Sequence, residues 1–304
     1  MKNISRRQSI KTLGMAAMTP LASSWLPAQD ARPLLRSIPS TGELMPVVGL
    51  GTWQTFDVSD SDEERAPLKE VLKNLIAKGG SVVDSSPMYG RSEEVVGDLS
   101  TELKLNDKLF IATKVWTTGK DSGIRQMNES LRLMRRDKIE LMQIHNLTDW
   151  ETHIKTLRSW KEEGKIKYIG LTHYTNSAHD TLASILSREE VDFIQVNYNL
   201  LDRHAEKSLL PLALEKKVAV LINQPFESGS LFQRVRGRQL PEWAKEFDCN
   251  SWAQFFLKYI LSNPAVTCAI PGTSKPHHML DNLGASYGKL PTGKQRLEMV
   301  RVVD

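Results

Sequence analysis

The segment 139–173, IELMQIHNLTDWETHIKTLRSWKEEGKIKYIGLTH, contains one complete structural repeat of the chain. Its first run, Ile139–His145, is rich in apolar residues and is followed by an amphipathic stretch and a second run, Lys167–His173. Gly164 stands just before the second run, where a helix commonly ends in a left-handed residue. The segment therefore predicts a strand, a helix and a second strand parallel to the first.

The same pattern recurs along the chain, with most runs beginning roughly 30 residues apart, the size of one strand–helix unit. We predict strands at Val47–Thr52, Ser81–Ser85, Leu109–Val115, Ile139–His145, Lys167–His173, Asp192–Tyr198, Val218–Gln224 and Thr267–Pro271. Helical spacing of apolar residues, as in Leu68, Val71 and Leu75, predicts the intervening helices. Eight strands alternating with about eight helices favour an α/β fold, the (β/α)₈ TIM barrel. A doubly wound sheet is the alternative, and the run 49–51 lacks the third glycine of its dinucleotide fingerprint.

Composition excludes several classes of protein. The chain has 304 residues, of which 40% are hydrophobic and 25% charged, as in a typical folded globular protein. No apolar stretch is long enough for a membrane span. The first 28 residues hold four basic residues and no acidic one, so the remainder carries 36 of each and gives no support to nucleic-acid binding. Cys249 and Cys268 lack metal or redox spacing, and we expect both to be packing residues.

The amino terminus resembles a twin-arginine export signal. The run Ser5–Lys11, SRRQSIK, has the paired arginines, although Ser9 stands where a large apolar residue is usual. A short, weakly apolar run follows, and cleavage after Ala28 fits a signal peptide. We therefore predict export by the twin-arginine machinery to a bacterial periplasm. A basic tail on a cytoplasmic protein is the alternative.

Three segments follow from these observations. Residues 1–28 are predicted to be the signal peptide, residues 29–44 a linker or an N-terminal hairpin, and residues 45–304 the barrel. The oligomeric state cannot be deduced from these patterns.

Four ionisable residues fall where predicted strands end, and in barrels chemistry occurs at that face. Asp84, Lys114 and His145 end neighbouring strands, and Tyr89 lies in the loop after Asp84. A buried ammonium needs a carboxylate, which predicts a pair between Lys114 and Asp84. Tyr89 would donate a proton to a carbonyl oxygen, with its pKa lowered by Lys114, while His145 orients the same oxygen. Taken singly, Asp84 could cap a turn, Tyr89 anchor its loop, and His145 be a satisfied core residue.

Together with their flanking sequence, these residues resemble the aldo-keto reductase family. The resemblance is carried by 45–53 (MPVVGLGTW), 83–93 (VDSSPMYGRSE), 112–114 (ATK), 144–145 (IH) and 270–276 (IPGTSKP). It spans about residues 45–285 and implies reversible, NADPH-dependent reduction of small-molecule aldehydes and ketones on a (β/α)₈ barrel. It also implies that Asp84, Tyr89, Lys114 and His145 form the catalytic tetrad.

The resemblance extends to binding residues. It implies a substrate pocket with Trp53 and Trp116, and Gln195 on the nicotinamide carboxamide. The cofactor-binding residues that it implies are Gly51, Thr52, Trp53, Thr172, His173, Gln195, Gln224, Phe226, Thr273, Ser274, Lys275, His278 and Asn282.

Three places depart from the family pattern. Thr172 and His173 replace a common Ser-Asn pair, and the usual stacking tyrosine is replaced within 222–226. His278 stands where many members have an arginine for the 2′-phosphate, and Lys275 could compensate. The resemblance implies NADPH as the cofactor. Because His278 is a weaker anion partner than arginine, NADH is the alternative.

Two other functions are alternatives to a reductase. One is a cofactor-binding regulatory or partner subunit without significant catalysis, but a complete tetrad favours an enzyme. The other is a metal-dependent hydrolase, for which the sequence has no suitable ligand cluster, so no metal site is predicted.

Overall fold

The structure, a computed structural model, describes residues 32–303, so the predicted signal peptide at 1–28 lies outside the described residues. Two short strands, β1 (Leu35–Ser37) and β2 (Leu44–Pro46), form an antiparallel hairpin. Eight further strands follow: β3 (Leu50–Gly51), β4 (Val82–Asp84), β5 (Phe110–Val115), β6 (Ile139–His145), β7 (Ile166–Thr172), β8 (Phe193–Asn197), β9 (Ala219–Asn223) and β10 (Cys268–Ala269).

The strands β3 to β10 form one parallel sheet in chain order. Isolated parallel bridges join Val48 to Ala269 and Gly51 to Gly272, so the first strand meets the last and the sheet curls into a barrel. All eight predicted strands are confirmed, and so is the (β/α)₈ architecture. The predicted run 47–52 is shortened to two regular residues, because Val48 pairs only through its isolated bridge.

Helices separate the barrel strands. They are α1 (Asp62–Ala77), α2 (Ser92–Glu102), α3 (Lys120–Leu133), α4 (Trp150–Glu162), α5 (His179–Leu186), α6 (Leu209–Glu215), α7 (Ser230–Arg234), α8 (Trp252–Leu261), α9 (Pro276–Gly284) and α10 (Gly293–Val303). The apolar stripe predicted in α1 is buried. Gly164 ends the turn after α4 with a φ of 75°, as predicted. None of these helices, which are those of residues 32–303, is long and apolar enough to cross a membrane.

The barrel has an apolar interior near the amino ends of its strands. Phe110, Tyr168 and Phe193 meet there with ring centroids about 5.4–6.2 Å apart. Ile38 and Met45 of the hairpin belong to the same buried cluster, so the hairpin closes this end of the barrel. A second apolar core, between the outer face of the sheet and the helices, is larger.

The interior of the barrel becomes polar toward the carboxyl ends of the strands. Because side chains alternate along a strand, Phe110, Ala112 and Lys114 of β5 share the inward face. Lys114 is fully buried, and so is Gln143, its register partner on β6. The apolar interior therefore gives way to a layer of buried polar side chains beneath the open end of the barrel. Cys249 and Cys268 are both buried, as expected for packing residues.

Candidate active site

The predicted ion pair between Asp84 and Lys114 is present. Nζ of Lys114 lies 2.7 Å from Oδ2 of Asp84 and donates a second hydrogen bond to the carbonyl oxygen of Ser85 at 2.6 Å. Burial acts to lower the pKa of Lys114, but attraction by Asp84 and Tyr89 outweighs it, so the pKa lies above its ordinary value. Lys114 is therefore a stable cation at neutral pH, held at the base of the site by β4 and β5.

Tyr89 lies over this ion pair. The centroid of its ring is 5.0 Å from Nζ of Lys114. The same centroid is 6.0 Å from the centroid of the His145 ring, and the two rings meet edge to face. The backbone N–H of Tyr89 donates to the carbonyl oxygen of Ser86 in a turn that continues into Gly90. Gly90 has a φ of 58°, and a Cβ there would lie 2.3 Å from the carboxylate oxygens of Asp57. The close approach of Asp57 fixes the end of this turn and thus the position of Tyr89.

The acidity expected of Tyr89 requires a correction. Lys114 does act to lower the pKa of the phenol, as the sequence predicted, but burial is the larger effect and the pKa lies above its ordinary value. Removing water disfavours phenolate more than one paired ammonium can favour it. Tyr89 is therefore a protonated donor at neutral pH, and the prediction of a lowered pKa was wrong for the protein alone.

His145, the last residue of β6, is a neutral imidazole. Nδ1 lies 3.0 Å from Oγ of Ser86, and Nε2 makes no hydrogen bond within the described residues. Burial lowers the pKa of His145 to about 3, with the charges of Lys114 and His173 acting in the same direction. The ring therefore contributes a neutral donor or acceptor beside Tyr89. The orienting hydroxyl of Ser86 was not singled out by the sequence.

Two buried carboxamides, on strands β6 and β8, donate hydrogen bonds to Asp84. Nε2 of Gln195 donates to Oδ1 of Asp84 at 2.7 Å, and Nε2 of Gln143 donates to the same oxygen at 3.1 Å. Oε1 of Gln195 accepts from the Thr172 hydroxyl at 3.1 Å. Gln195 and Thr172, predicted as cofactor contacts, thus also belong to the network around Asp84. Gln143 was missed, although its spacing of two residues from His145 places both on the inward face.

A cavity of about 930 Å³ opens above these residues at the carboxyl end of the barrel. Fourteen of the predicted site residues line it: Gly51, Thr52, Trp53, Asp84, Tyr89, Trp116, His145, Thr172, Gln195, Gln224, Phe226, Thr273, His278 and Asn282. The volume is at the upper end of the range usual for small-molecule sites. The cavity reaches from the tetrad to the first turn of α9, far enough to connect the two ends of the predicted site.

Four predicted site residues lie outside the lining of this cavity. Lys114 is buried directly beneath it. Nδ1 of His173 accepts hydrogen bonds from the backbone N–H groups of Tyr174 and Thr175, so that the imidazole caps its own turn. Ser274 and Lys275 precede α9, and Lys275 is exposed. The predicted direct contacts of these last three with a ligand are not supported by their placement.

The cavity also has lining residues that sequence patterns missed, because Tyr174 lies in the loop after β7 and Phe232 lies in the five-residue helix α7. Tyr174 and Phe232 join Trp53 and Trp116 as partly exposed aromatic residues around the opening. Trp53 is 49%, Trp116 43% and Tyr174 51% exposed. Asn223, the last residue of β9, also lines the cavity and belongs to the run 222–226 that replaces the usual stacking tyrosine. Its Oδ1 is buried and has no partner within the described residues.

The far end of the cavity lies at the start of α9. His278 and Asn282 are one helical turn apart there and line the same wall. Burial lowers the pKa of His278, and the neighbouring His277 and Lys275 act in the same direction. His278 is therefore neutral at pH 7 and lacks the permanent positive charge that an arginine would have. The backbone N–H groups at the start of the helix have no partners in the preceding turn, which favours an anion.

Comparison with known proteins identifies the family of the chain. Residues 47–296 match the model of the Aldo/keto reductase family. The chain belongs to this family. This aldo/keto reductase is 26% identical to "Aldo-keto reductase YhdN" of Bacillus subtilis over 79% of its own length and 85% of the relative's. It is 28% identical to "NADH-specific methylglyoxal reductase" of Escherichia coli, over 65% of its own length and 69% of the relative's.

A solved structure has the same fold. The aldo/keto reductase of Klebsiella pneumoniae "in complex with NADP and acetate" is 23% identical in sequence and superposes with a TM-score of 0.72. The match covers 90% of this chain and 95% of that one. Within residues 32–303 of this aldo/keto reductase, no group of three or more histidine, cysteine or acidic side chains is arranged to hold a metal ion.

Proposed function

We propose that the protein is an NADPH-dependent reductase of aldehyde or ketone carbonyls, with Tyr89 as the general acid and, in the reverse direction, the general base. One observation carries the proposal. The phenol of Tyr89, the ammonium of Lys114 and the imidazole of His145 meet at one end of a large cavity. These groups provide a proton, a compensating charge and an orienting hydrogen bond around one position.

The cavity also fits a dinucleotide. It is long enough to connect Gln195 and Asn223 with the start of α9, and the unpaired Oδ1 of Asn223 is an acceptor suited to an amide. Gln195, Thr172 and Asn223 would hold the nicotinamide end, and His278 and Asn282 the other end. When bound, a reduced nicotinamide supplies the hydride that the carbonyl carbon receives.

The chain's own residues supply the proton. A carbonyl oxygen would lie between the hydroxyl of Tyr89 and Nε2 of His145, and both groups would orient it. Because burial keeps Tyr89 protonated, its proton is retained until negative charge develops on that oxygen. The Lys114 ammonium then stabilises the phenolate that remains, and Asp84 holds the ammonium in place.

The choice between the two nicotinamide cofactors depends on the start of α9. The Klebsiella structure is a complex with NADP, whereas the Escherichia coli relative is named as NADH-specific. A neutral His278 is a weaker partner for a 2′-phosphate than an arginine. We propose NADPH as the preferred cofactor, as in the Klebsiella complex, and we expect measurable use of NADH because His278 binds the 2′-phosphate less strongly than an arginine would.

The proposal is tested with the purified full chain. Fluorescence titration gives the Kd of NADPH and NADH, and NADPH oxidation is followed with a generic aldehyde. Tyr89→Phe should abolish reduction while leaving the Kd unchanged. Near-wild-type reduction by this variant would remove Tyr89 from its role as acid. Cofactor binding by the wild type without turnover of any carbonyl would favour the regulatory or partner subunit.

We also propose that the protein is exported through the twin-arginine route. The support is the run 5–11 with its paired arginines, together with the net positive charge of +4, all of which is contributed by the first 28 residues. Replacing Arg6 and Arg7 together by lysine should retain the protein in the cytoplasm of a bacterial host, whereas the wild type should appear in the periplasmic fraction. Equal distribution of the two forms would contradict export by this route.

A further inference from the structure

We propose that Gln143 is a positioning residue of the active site, which fixes the orientation of Asp84 and thereby the charge that Tyr89 experiences from the ion pair. This inference rests on the proposed function, because it concerns the same tyrosine. Gln143 does not line the cavity and touches no ligand position, so its effect would be exerted through Asp84.

The two carboxylate oxygens of Asp84 have different partners. Oδ2 accepts from Nζ of Lys114 at 2.7 Å, whereas Oδ1 accepts from Gln195 at 2.7 Å and from Gln143 at 3.1 Å. The amide of Gln195 lies on β8, four strands from β4 in the sheet, and that of Gln143 lies on β6, two strands from β4. Because each carboxylate oxygen has its own donors, Asp84 cannot rotate without breaking one set of hydrogen bonds.

The backbone leaves room for this contact. Gln143 lies in register with Lys114 on β5 and with Gly170 on β7, so the three belong to one layer of the barrel. A Cβ at position 170 would lie only 2.8 Å from Cγ of Gln143. The lack of a side chain at Gly170 thus gives Gln143 the space to extend toward Asp84.

Stability does not account for a glutamine at this position. Gln143 is fully buried, and its Oε1 has no hydrogen-bond partner within the described residues. A buried acceptor without a partner is unfavourable, whereas an apolar side chain of the same length would leave none. An unpaired buried acceptor in a folded protein calls for an explanation such as a role in the active site, and the one partner of the Gln143 amide is Asp84.

Loss of the Gln143 amide has a defined consequence at Tyr89. With one N–H donor fewer on Oδ1, more of the negative charge of Asp84 is uncompensated, and Asp84 acts to raise the pKa of Tyr89. The ammonium of Lys114 also binds a less solvated carboxylate more tightly. Both effects make the phenolate harder to form, so the proton is harder to transfer.

The test compares Gln143→Met, which keeps the length of the side chain without its N–H, with Met142→Leu. Met142 is the neighbouring residue on the same strand, buried in the apolar core on the outer face of the sheet. Five quantities are measured: kcat and KM with a generic aldehyde, the pH profile of kcat, the Kd of NADPH, and Tm. Gln143→Leu is the second variant if the methionine form is insoluble.

We expect Gln143→Met to lower kcat about tenfold, at the lower end of losses typical for residues that orient a functional group. KM and Kd should stay within about twofold, the alkaline limb of the profile should move to higher pH, and Tm should fall modestly, because the buried carboxylate of Asp84 loses one donor. Met142→Leu should match the wild type in kcat and in pH profile. A lower Tm with wild-type kcat and pH profile would instead make Gln143 a packing residue and overturn the proposal.

A readout without turnover separates this inference from the proposed function. The titration of Tyr89 can be followed by NMR with ¹³C-labelled tyrosine, assigned with Tyr89→Phe. Its midpoint should be higher in Gln143→Met than in the wild type, and an unchanged midpoint would overturn the positioning role. If the wild type reduces no carbonyl, the proposed function fails, but the titration still decides whether Gln143 acts on Tyr89.

Discussion

Oγ of Ser86 lies 3.0 Å from Nδ1 of His145, so the loop after β4 orients a ring that ends β6. The same loop contains Tyr89, whose ring is edge to face with that of His145. The loop after β4 therefore fixes the positions of both the Tyr89 phenol and the His145 imidazole, the two groups that would hold a carbonyl oxygen. Loss of the Ser86 hydroxyl should therefore disturb the orientation of the His145 ring.

Replacing Ser86 by alanine should reduce kcat/KM for an aldehyde about tenfold, because the ring of His145 loses the hydrogen bond that fixes its orientation. The free energy of unfolding should fall by only about 1 kcal/mol, the usual contribution of one hydrogen bond. Steady-state kinetics and urea unfolding measure the two effects. Ser184→Ala on α5, remote from the cavity, is the control, and equal kinetics for both variants would contradict a role for Ser86.

The neutral state of His145 predicts how stability depends on pH. Its pKa is lowered to about 3 in the folded protein, against about 6.5 for the unfolded chain, so the unfolded state binds more protons between these values. Its stabilising contribution is complete above about pH 6.5 and is lost as the pH falls toward 3. At about 1.4 kcal/mol per pKa unit, the upper bound is about 5 kcal/mol.

Urea unfolding at a series of pH values checks this dependence. His145→Asn should show a shallower loss of stability between pH 6.5 and 4 than the wild type. Parallel stability curves for the two proteins would show that His145 is not the group responsible.

Lys258 is a buried lysine outside the active site, and its replacement should lower the free energy of unfolding without changing kcat. Nζ of Lys258 donates to the carbonyl oxygens of Phe247, Tyr287 and Lys289 at 2.9, 2.6 and 2.8 Å. Lys258→Met removes the donor from three carbonyl groups, of which that of Phe247 is buried and the other two are partly buried, and should lower the free energy of unfolding by about 3 kcal/mol. Urea unfolding measures this loss, and the exposed Lys245→Met is the control. At low temperature kcat should be that of the wild type, and a large fall in kcat without loss of stability would contradict this prediction.

The start of α9 should control cofactor preference. His278→Arg should lower the Kd of NADPH about tenfold and change that of NADH little, because a guanidinium pairs with a 2′-phosphate more strongly than a neutral imidazole does. Fluorescence titration with both cofactors provides the measurement. The matched control is His277→Arg, next in sequence but absent from the cavity lining. If both variants change the two affinities equally, the effect is one of general charge and not of position 278.

The barrel and most of the tetrad were predictable from sequence because they follow from periodicity. Strand runs recur at the spacing of one strand–helix unit, and the ends of parallel strands meet at one face. Asp84 and Lys114 could be paired because a buried ammonium requires an anion. The positions of these residues along their strands were sufficient, without any knowledge of loop conformation.

Other features depend on distances that a sequence does not encode locally. The direction of the pKa shift of Tyr89 depends on how much water the loops exclude, which the charge of its lysine neighbour does not reveal. Gln143 is one polar residue in an apolar run, and its contact with Asp84 exists only across the closed barrel. The aromatic opening includes Tyr174 from the loop after β7 and Phe232 from the short helix α7, and the periodicity of the strands predicts the position of neither segment.

The hairpin that fills the amino end of the barrel prevents molecules from entering or leaving the interior at that end. Ile38 and Met45 are packed into the interior there, and Oγ1 of Thr41 lies 2.8 Å from the hydroxyl of Tyr168. A molecule that binds beside Tyr89 must therefore enter and leave through the cavity opening at the carboxyl end of the barrel. Two molecules bound one behind the other can depart only in the reverse of the sequence in which they arrived.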